Sequence, residues 1–186
     1  MSTPVLLVMD FQTSIVDRLG SPEVLAAATR AVDAARTSGV PVVFVRVAFR
    51  AGFPEIAASN KSFDAMRQRG DAAGFDERST AIHAAFAVRP DEVVVTKRRV
   101  SAFAGSDLDV VLRAAGATEL VLAGIATSGV VLSTLRQAAD LDYGITVLAD
   151  ACADADPEVH RVLTEKVYPR QADVTTVDAW VANLRG

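Results

Sequence analysis

Three short stretches of this chain hold residue types that could do chemistry together. Asp10 follows the apolar run Val5-Leu6-Leu7-Val8-Met9, and Lys97 follows Val93-Val94-Val95-Thr96. The turn Gly124-Ile125-Ala126-Thr127-Ser128-Gly129-Val130 follows Leu120-Val121-Leu122-Ala123. A lysine near an aspartate holds the carboxylate ionised and in place. A turn from strand into helix adds the positive end of a helix dipole, which favours a thiolate nucleophile. No thiol stands there: position 130 is valine, and Thr127 and Ser128 read as helix-capping residues. The question these residues pose is what an acid and a lysine without a thiol can do.

The other candidates are weaker. Arg46 and Arg50 lie just after the second apolar run and Arg98 just after Lys97, where they could meet an anionic substrate. Solvated surface arginines are the competing reading. Cys152 is the single cysteine, flanked by Asp150 and Asp154, which would raise its pKa rather than lower it. It is expected to be a small, partly buried residue. His83 and His160 are far apart in sequence, read as helix-face residues, and make a poor metal site. The 124–130 turn lacks the glycine spacing of either common phosphate loop. Neither a metal nor another cofactor is expected.

These groups must be positioned by an alternation of short apolar runs and helical patterns. Strands are expected at Val5–Met9, Val42–Val45, Val93–Thr96, Leu120–Ala123, Ile145–Leu148 and Asp173–Thr176. Helices are expected at Glu23–Arg36, with Ser21 as N-cap, and at Asp107–Ala115, Val130–Leu141, Glu158–Val167 and Val177–Leu184. Continuous rather than alternating apolar strands argue for a parallel sheet covered on both faces. In such sheets ligands bind beyond the C-terminal strand ends, where Asp10, Lys97 and the turn all fall. The segment Ala48–Ala87 shows weak periodicity. It reads as a lid or binding segment, or as a surface excursion.

Composition sets the outer limits. The 186 residues suit one domain, 1–186, with a full core. A net charge of −4 leaves no basic footprint for nucleic acid. The N-terminal apolar run is too short for a signal or a membrane span, so a cytoplasmic location without membrane contact is expected.

Four motifs together resemble the isochorismatase-like hydrolases, also called cysteine hydrolases. They are Leu7-Val8-Met9-Asp10-Phe11-Gln12; Val94-Val95-Thr96-Lys97 with Ser101-Ala102-Phe103; Gly124-Ile125-Ala126-Thr127; and Thr134-Leu135-Arg136-Gln137-Ala138 with Tyr143-Gly144-Ile145. The resemblance implies a three-layer α/β/α fold with a six-stranded, mostly parallel sheet in the order 3-2-1-4-5-6. It implies that Asp10 and Lys97 are catalytic, that the Ile125–Ala126 bond is a cis peptide at an oxyanion hole, and that Val130 takes the place of the nucleophilic cysteine. Gln12 and Phe103, within the matched motifs, join Arg46, Arg50 and Arg98 as expected substrate contacts. Nicotinamidases of this family carry a metal-binding Asp-x-His after the second strand. Here the segment reads Arg46-Val47-Ala48-Phe49-Arg50, which supports neither a metal nor nicotinamide. The family also implies a homodimer or homotetramer.

Three functions are compatible with these residues. The first is a hydrolase of a small, anionic metabolite that uses Asp10 as acid or base and water as nucleophile, with vinyl-ether cleavage as one such reaction. The second is a catalytically impaired member that binds a small molecule or acts as an oligomeric scaffold. The third, a thiol hydrolase using Cys152, is the weakest. An open cavity beside Asp10 and Lys97 would favour the first, and a closed space around Val130 the second.

Overall fold

The computed structural model describes residues 3–69 and 76–184. Six strands run parallel in one sheet of order β3-β2-β1-β4-β5-β6. They are β1 (Pro4–Met9), β2 (Val42–Val47), β3 (Val93–Lys97), β4 (Glu119–Ile125), β5 (Gly144–Ala153) and β6 (Asp173–Thr175). The order is the one the family resemblance implies. The uniform parallel pairing follows from strands that are apolar on both faces. In β1, Val5, Leu7 and Met9 join one apolar layer, while Leu6 and Val8 join the other.

Helices cover both faces. On one side lies α2 (Pro22–Thr37), capped by Ser21, whose hydroxyl accepts a hydrogen bond from the Val24 amide at 3.2 Å. Its buried residues Ala27, Ala28, Ala31, Val32 and Ala35 recur at helical spacing, and their small size lets the helix lie close on β1 and β5. On the other side lie α5 (Leu108–Ala114) and α6 (Leu132–Asp140), which bury Leu108, Leu112, Leu135 and Ala138 against the sheet. The last helices are α7 (Pro157–Val162) and α8 (Val177–Leu184). No described helix is long and apolar enough to cross a membrane.

Three departures from the sequence reading matter for the site. The first is an unexpected short helix, α1 (Thr13–Leu19), directly after β1. Its propensity is modest and it buries only Val16, so its periodic signal is weak. The second is that the 48–87 segment is not structureless. It contains α3 (Lys61–Gln68), capped by Asn60, and α4 (Glu77–Thr80), capped by Asp76. Residues 70–75 of it lie outside the described residues. The third is that β5 runs on past Leu148 to Ala153, so Cys152 is a buried strand residue paired in register with Gly124.

Candidate active site

Asp10 directly follows β1 with a φ of +58°, the left-handed region that aspartate tolerates better than most residues. The turn breaks the strand and leaves the carboxylate at the C-terminal edge of the sheet. There Lys97, the last residue of β3, meets it: Nζ lies 2.8 Å from Asp10 Oδ2. β2 lies between the two strands, so the pair reaches across it. Lys97 and Asp10 are 2% and 5% exposed. The ammonium also donates to the carbonyls of Arg99 at 3.0 Å and Val100 at 3.1 Å. Three acceptors match its three protons, so its position is fully specified. Asp10 Oδ1, by contrast, is buried with no protein partner. Burial pushes the Asp10 carboxyl above its ordinary value, with Lys97 pulling the other way.

The loop that supplies those carbonyls is itself pinned. Ser101 Oγ donates to Gln137 Oε1 at 2.7 Å, and the buried Ala102 amide donates to Thr134 Oγ1 at 2.9 Å. Two motifs far apart in sequence thus meet to hold the lysine loop against α6.

The third component is the turn after β4. Gly124 is required by close approach: a Cβ there would lie 3.0 Å from the Met9 carbonyl oxygen and 3.1 Å from Val131 Cγ2. The Ile125–Ala126 peptide is cis. Thr127–Val131 then forms a single wide helical turn, with Gly129 at non-helical angles, before α6 begins at Leu132. Thr127 and Ser128 do not cap this turn through their side chains. Instead the Thr127 hydroxyl pairs with His160 Nδ1 at 2.8 Å, the Ser128 amide donates to Asp154 Oδ2 at 2.7 Å, and Tyr168 OH donates to the Thr127 carbonyl at 2.7 Å. Burial lowers the His160 imidazole below its ordinary value, with Asp154 opposing. His83 caps a short turn, accepting from the Ala85 amide.

These parts enclose a cavity of about 450 Å³. Buried Asp10, Lys97, Ile125 and Val130, with half-buried Ala126 and Gly129, form one end of it. Val130, 2% exposed, faces both this space and the apolar layer under α6. The walls come from α1 and α3, through Ile15, Leu19, Phe63 and Met66.

Several expected substrate contacts lie elsewhere. Arg46 donates to Thr96 Oγ1 at 3.2 Å and does not line the cavity. Arg50 and Arg98 share Glu55 with each other on a neighbouring loop surface, because that half-buried carboxylate draws both guanidinium groups toward it. Phe103 packs inside the core against Tyr143, with ring centroids 6.2 Å apart. Gln12 does line the cavity, but its amide is committed to backbone. It donates to the Val47 and Thr80 carbonyls and accepts from the Val47 amide, tying α1 to the ends of β2 and α4. The arginines that do line the cavity are Arg18 and Arg69. The signal for Arg18 was the spacing of Ser14, Ile15, Arg18 and Leu19, which puts all four on one face of a helix.

Cys152 is not among the lining residues, and burial, with Asp150 adding to it, pushes its thiol up to about 12. Treatment with iodoacetamide is therefore expected to leave any native activity intact, and Cys152→Ser to be silent. Inactivation that tracks modification of Cys152 would overturn the exclusion of a thiol mechanism.

Comparison with known proteins gives the family of the chain. Residues 4–179 match the isochorismatase domain model. An uncharacterized isochorismatase family protein, YecD, of Escherichia coli is 33% identical over 95% of this chain and 93% of its own length. The ureidoacrylate amidohydrolase RutB of Stutzerimonas stutzeri is 33% identical over 98% of the chain and 80% of its own. Among solved structures, an isochorismatase family protein of Burkholderia thailandensis superposes with a TM-score of 0.89 at 29% identity, covering 99% of this chain and 96% of that one. With a shared fold and matches along nearly its whole length, the chain belongs to the isochorismatase family of hydrolases.

Proposed function

We propose that this protein hydrolyses a small anionic metabolite with Asp10 as the general acid and water as the nucleophile. The observation that carries the reading is the buried Asp10–Lys97 pair with one carboxylate oxygen unpartnered at the closed end of a cavity. A carboxyl held above its ordinary value by burial can keep a proton to give. Vinyl-ether cleavage suits such a site. Asp10 transfers its proton to the terminal vinyl carbon, and the ether oxygen stabilises the resulting cation. Water adds to that cation and returns a proton to the carboxylate, which Lys97 holds in place. The hemiketal then breaks to a carbonyl compound and an alcohol. Ureidoacrylate hydrolysis, the reaction named for one relative, breaks an amide-type bond instead. The lining residues include no thiol for a covalent version of it.

The cavity beside Val130 favours this reading over a non-catalytic scaffold, for which a closed space would be expected. A panel of vinyl ethers, amides and esters, assayed with wild type and Asp10→Asn, tests it. Vinyl-ether turnover is expected to be greatest where Asp10 is protonated. It should fall as pH rises through the raised carboxyl pKa. A rate that instead climbs with pH through that range would sink the general-acid role.

A further inference from the structure

The same cavity has a second charged feature that the acid–lysine pair does not use. Arg18, from α1, and Arg69, at the C-terminal end of α3, line it with exposed side chains, whereas Asp10 and Lys97 lie buried at the other end. The two arginines therefore mark the mouth. Neither guanidinium has an ion pair or hydrogen bond among the described residues. Arg36, Arg50, Arg67, Arg98 and Arg161 are by contrast each paired with a carboxylate. Among the described residues Asp10 is the sole carboxylate that lines the cavity, and Lys97 offsets it. The described lining residues are thus net positive on a chain whose overall charge is −4. Between mouth and closed end the walls are mainly apolar: Ile15, Leu19, Val47, Phe63, Met66 and Val100.

We infer that Arg18 and Arg69 are the specificity-determining residues, clamping the carboxylate of a substrate whose apolar body spans the cavity. A planar guanidinium fork matches a carboxylate in two parallel hydrogen bonds. The apolar walls reward a ring or short hydrocarbon between that carboxylate and the reacting end. Arg18 is one helical turn from Ser14 and next to Leu19, so α1 presents the charge and the apolar wall from one face. Met66 and Arg69, three residues apart, do the same from α3. The inference rests on the hydrolase reading for what happens at Asp10, but carboxylate binding at the mouth can be measured without turnover.

Calorimetric titration with benzoate and with its uncharged counterpart benzamide tests the clamp at low ionic strength. Benzoate is expected to bind at least about tenfold more tightly than benzamide. Arg18→Ala and Arg69→Ala should each weaken benzoate by about fivefold, and the double variant by about twentyfold, with benzamide unmoved. Arg18→Lys should restore part of the affinity, because it returns the charge but not the fork. Raising the salt should erode the benzoate preference. Arg113→Ala, which removes the same charge at an exposed pair with Asp109, should change nothing. Equal affinity for benzoate and benzamide, a double variant that binds benzoate like wild type, or an equal loss in Arg113→Ala would each overturn the proposal. Failure of the hydrolase reading would show separately, as absence of turnover by the wild type in the substrate panel.

Discussion

Asp10→Asn is expected to reduce turnover by at least about a hundredfold while the protein stays folded, since general acid catalysis contributes on the order of 10²–10⁴. Asparagine is nearly isosteric with aspartate, and it tolerates the φ of +58° that position 10 requires. Its carbonyl can still accept from Lys97 Nζ, and its amide group occupies the place of the unpartnered Oδ1. What is lost is the proton that the proposed mechanism has the carboxyl give and take back. Stability should move little at neutral pH, and the sign of its pH dependence follows from burial. The raised carboxyl pKa means that Asp10 favours the folded state below its ordinary value. That contribution is lost as pH rises through the folded value. The variant lacks this loss, so it should compare better with wild type at pH 7 than at pH 4. Urea titrations at both pH values, beside the turnover assay, would check the two halves. A variant that keeps substantial turnover, or one that is unfolded at pH 7, would contradict the role given to Asp10.

Lys97→Met has the largest expected effect on stability, a loss of about 3–5 kcal/mol at pH 7, because it breaks a buried pair from one side. Methionine fills most of the lysine volume, so the cost is electrostatic rather than a cavity. Two carbonyls, of Arg99 and Val100, lose their donor, and the Asp10 carboxylate loses its cation. Asp10 can escape by keeping its proton, which costs nothing near its ordinary value and progressively more above it. The gap between variant and wild type should therefore narrow as pH falls from 7 toward 4, leaving only the part due to the carbonyls. Denaturant unfolding at pH 4, 5.5 and 7 measures this. A gap that is absent at pH 7, or the same at all three values, would show that the pair does not couple as described.

The sheet and most of its helices were legible in the chain because their signals are local. Continuous apolar runs such as Val5–Met9 mark strands buried on both faces, and Ser21 before Pro22 marks a helix start. The same signals placed Asp10, Lys97 and the 124–130 turn at strand ends. Strand ends in a parallel sheet share one edge, so the candidate acid–lysine pair is readable from the sequence. Weak signals failed. α1 buries one residue, and α3 sits in a polar stretch, so neither stood out by periodicity. Charge partners are not local at all. Arg98 is next to Lys97 in sequence and Arg50 follows the end of β2, yet Glu55 draws both to another surface. Arg18 and Arg69, 51 positions apart, line one cavity because α1 and α3 converge on it. Thr127 and His160 meet only because β5 runs on to Ala153 and returns α7 against the turn. The order of apolar and polar residues along the chain thus determined the layers and the edge where chemistry can occur. Only the tertiary structure decided which charges face that edge unpaired, since an ion pair depends on distance in space and not on separation in sequence.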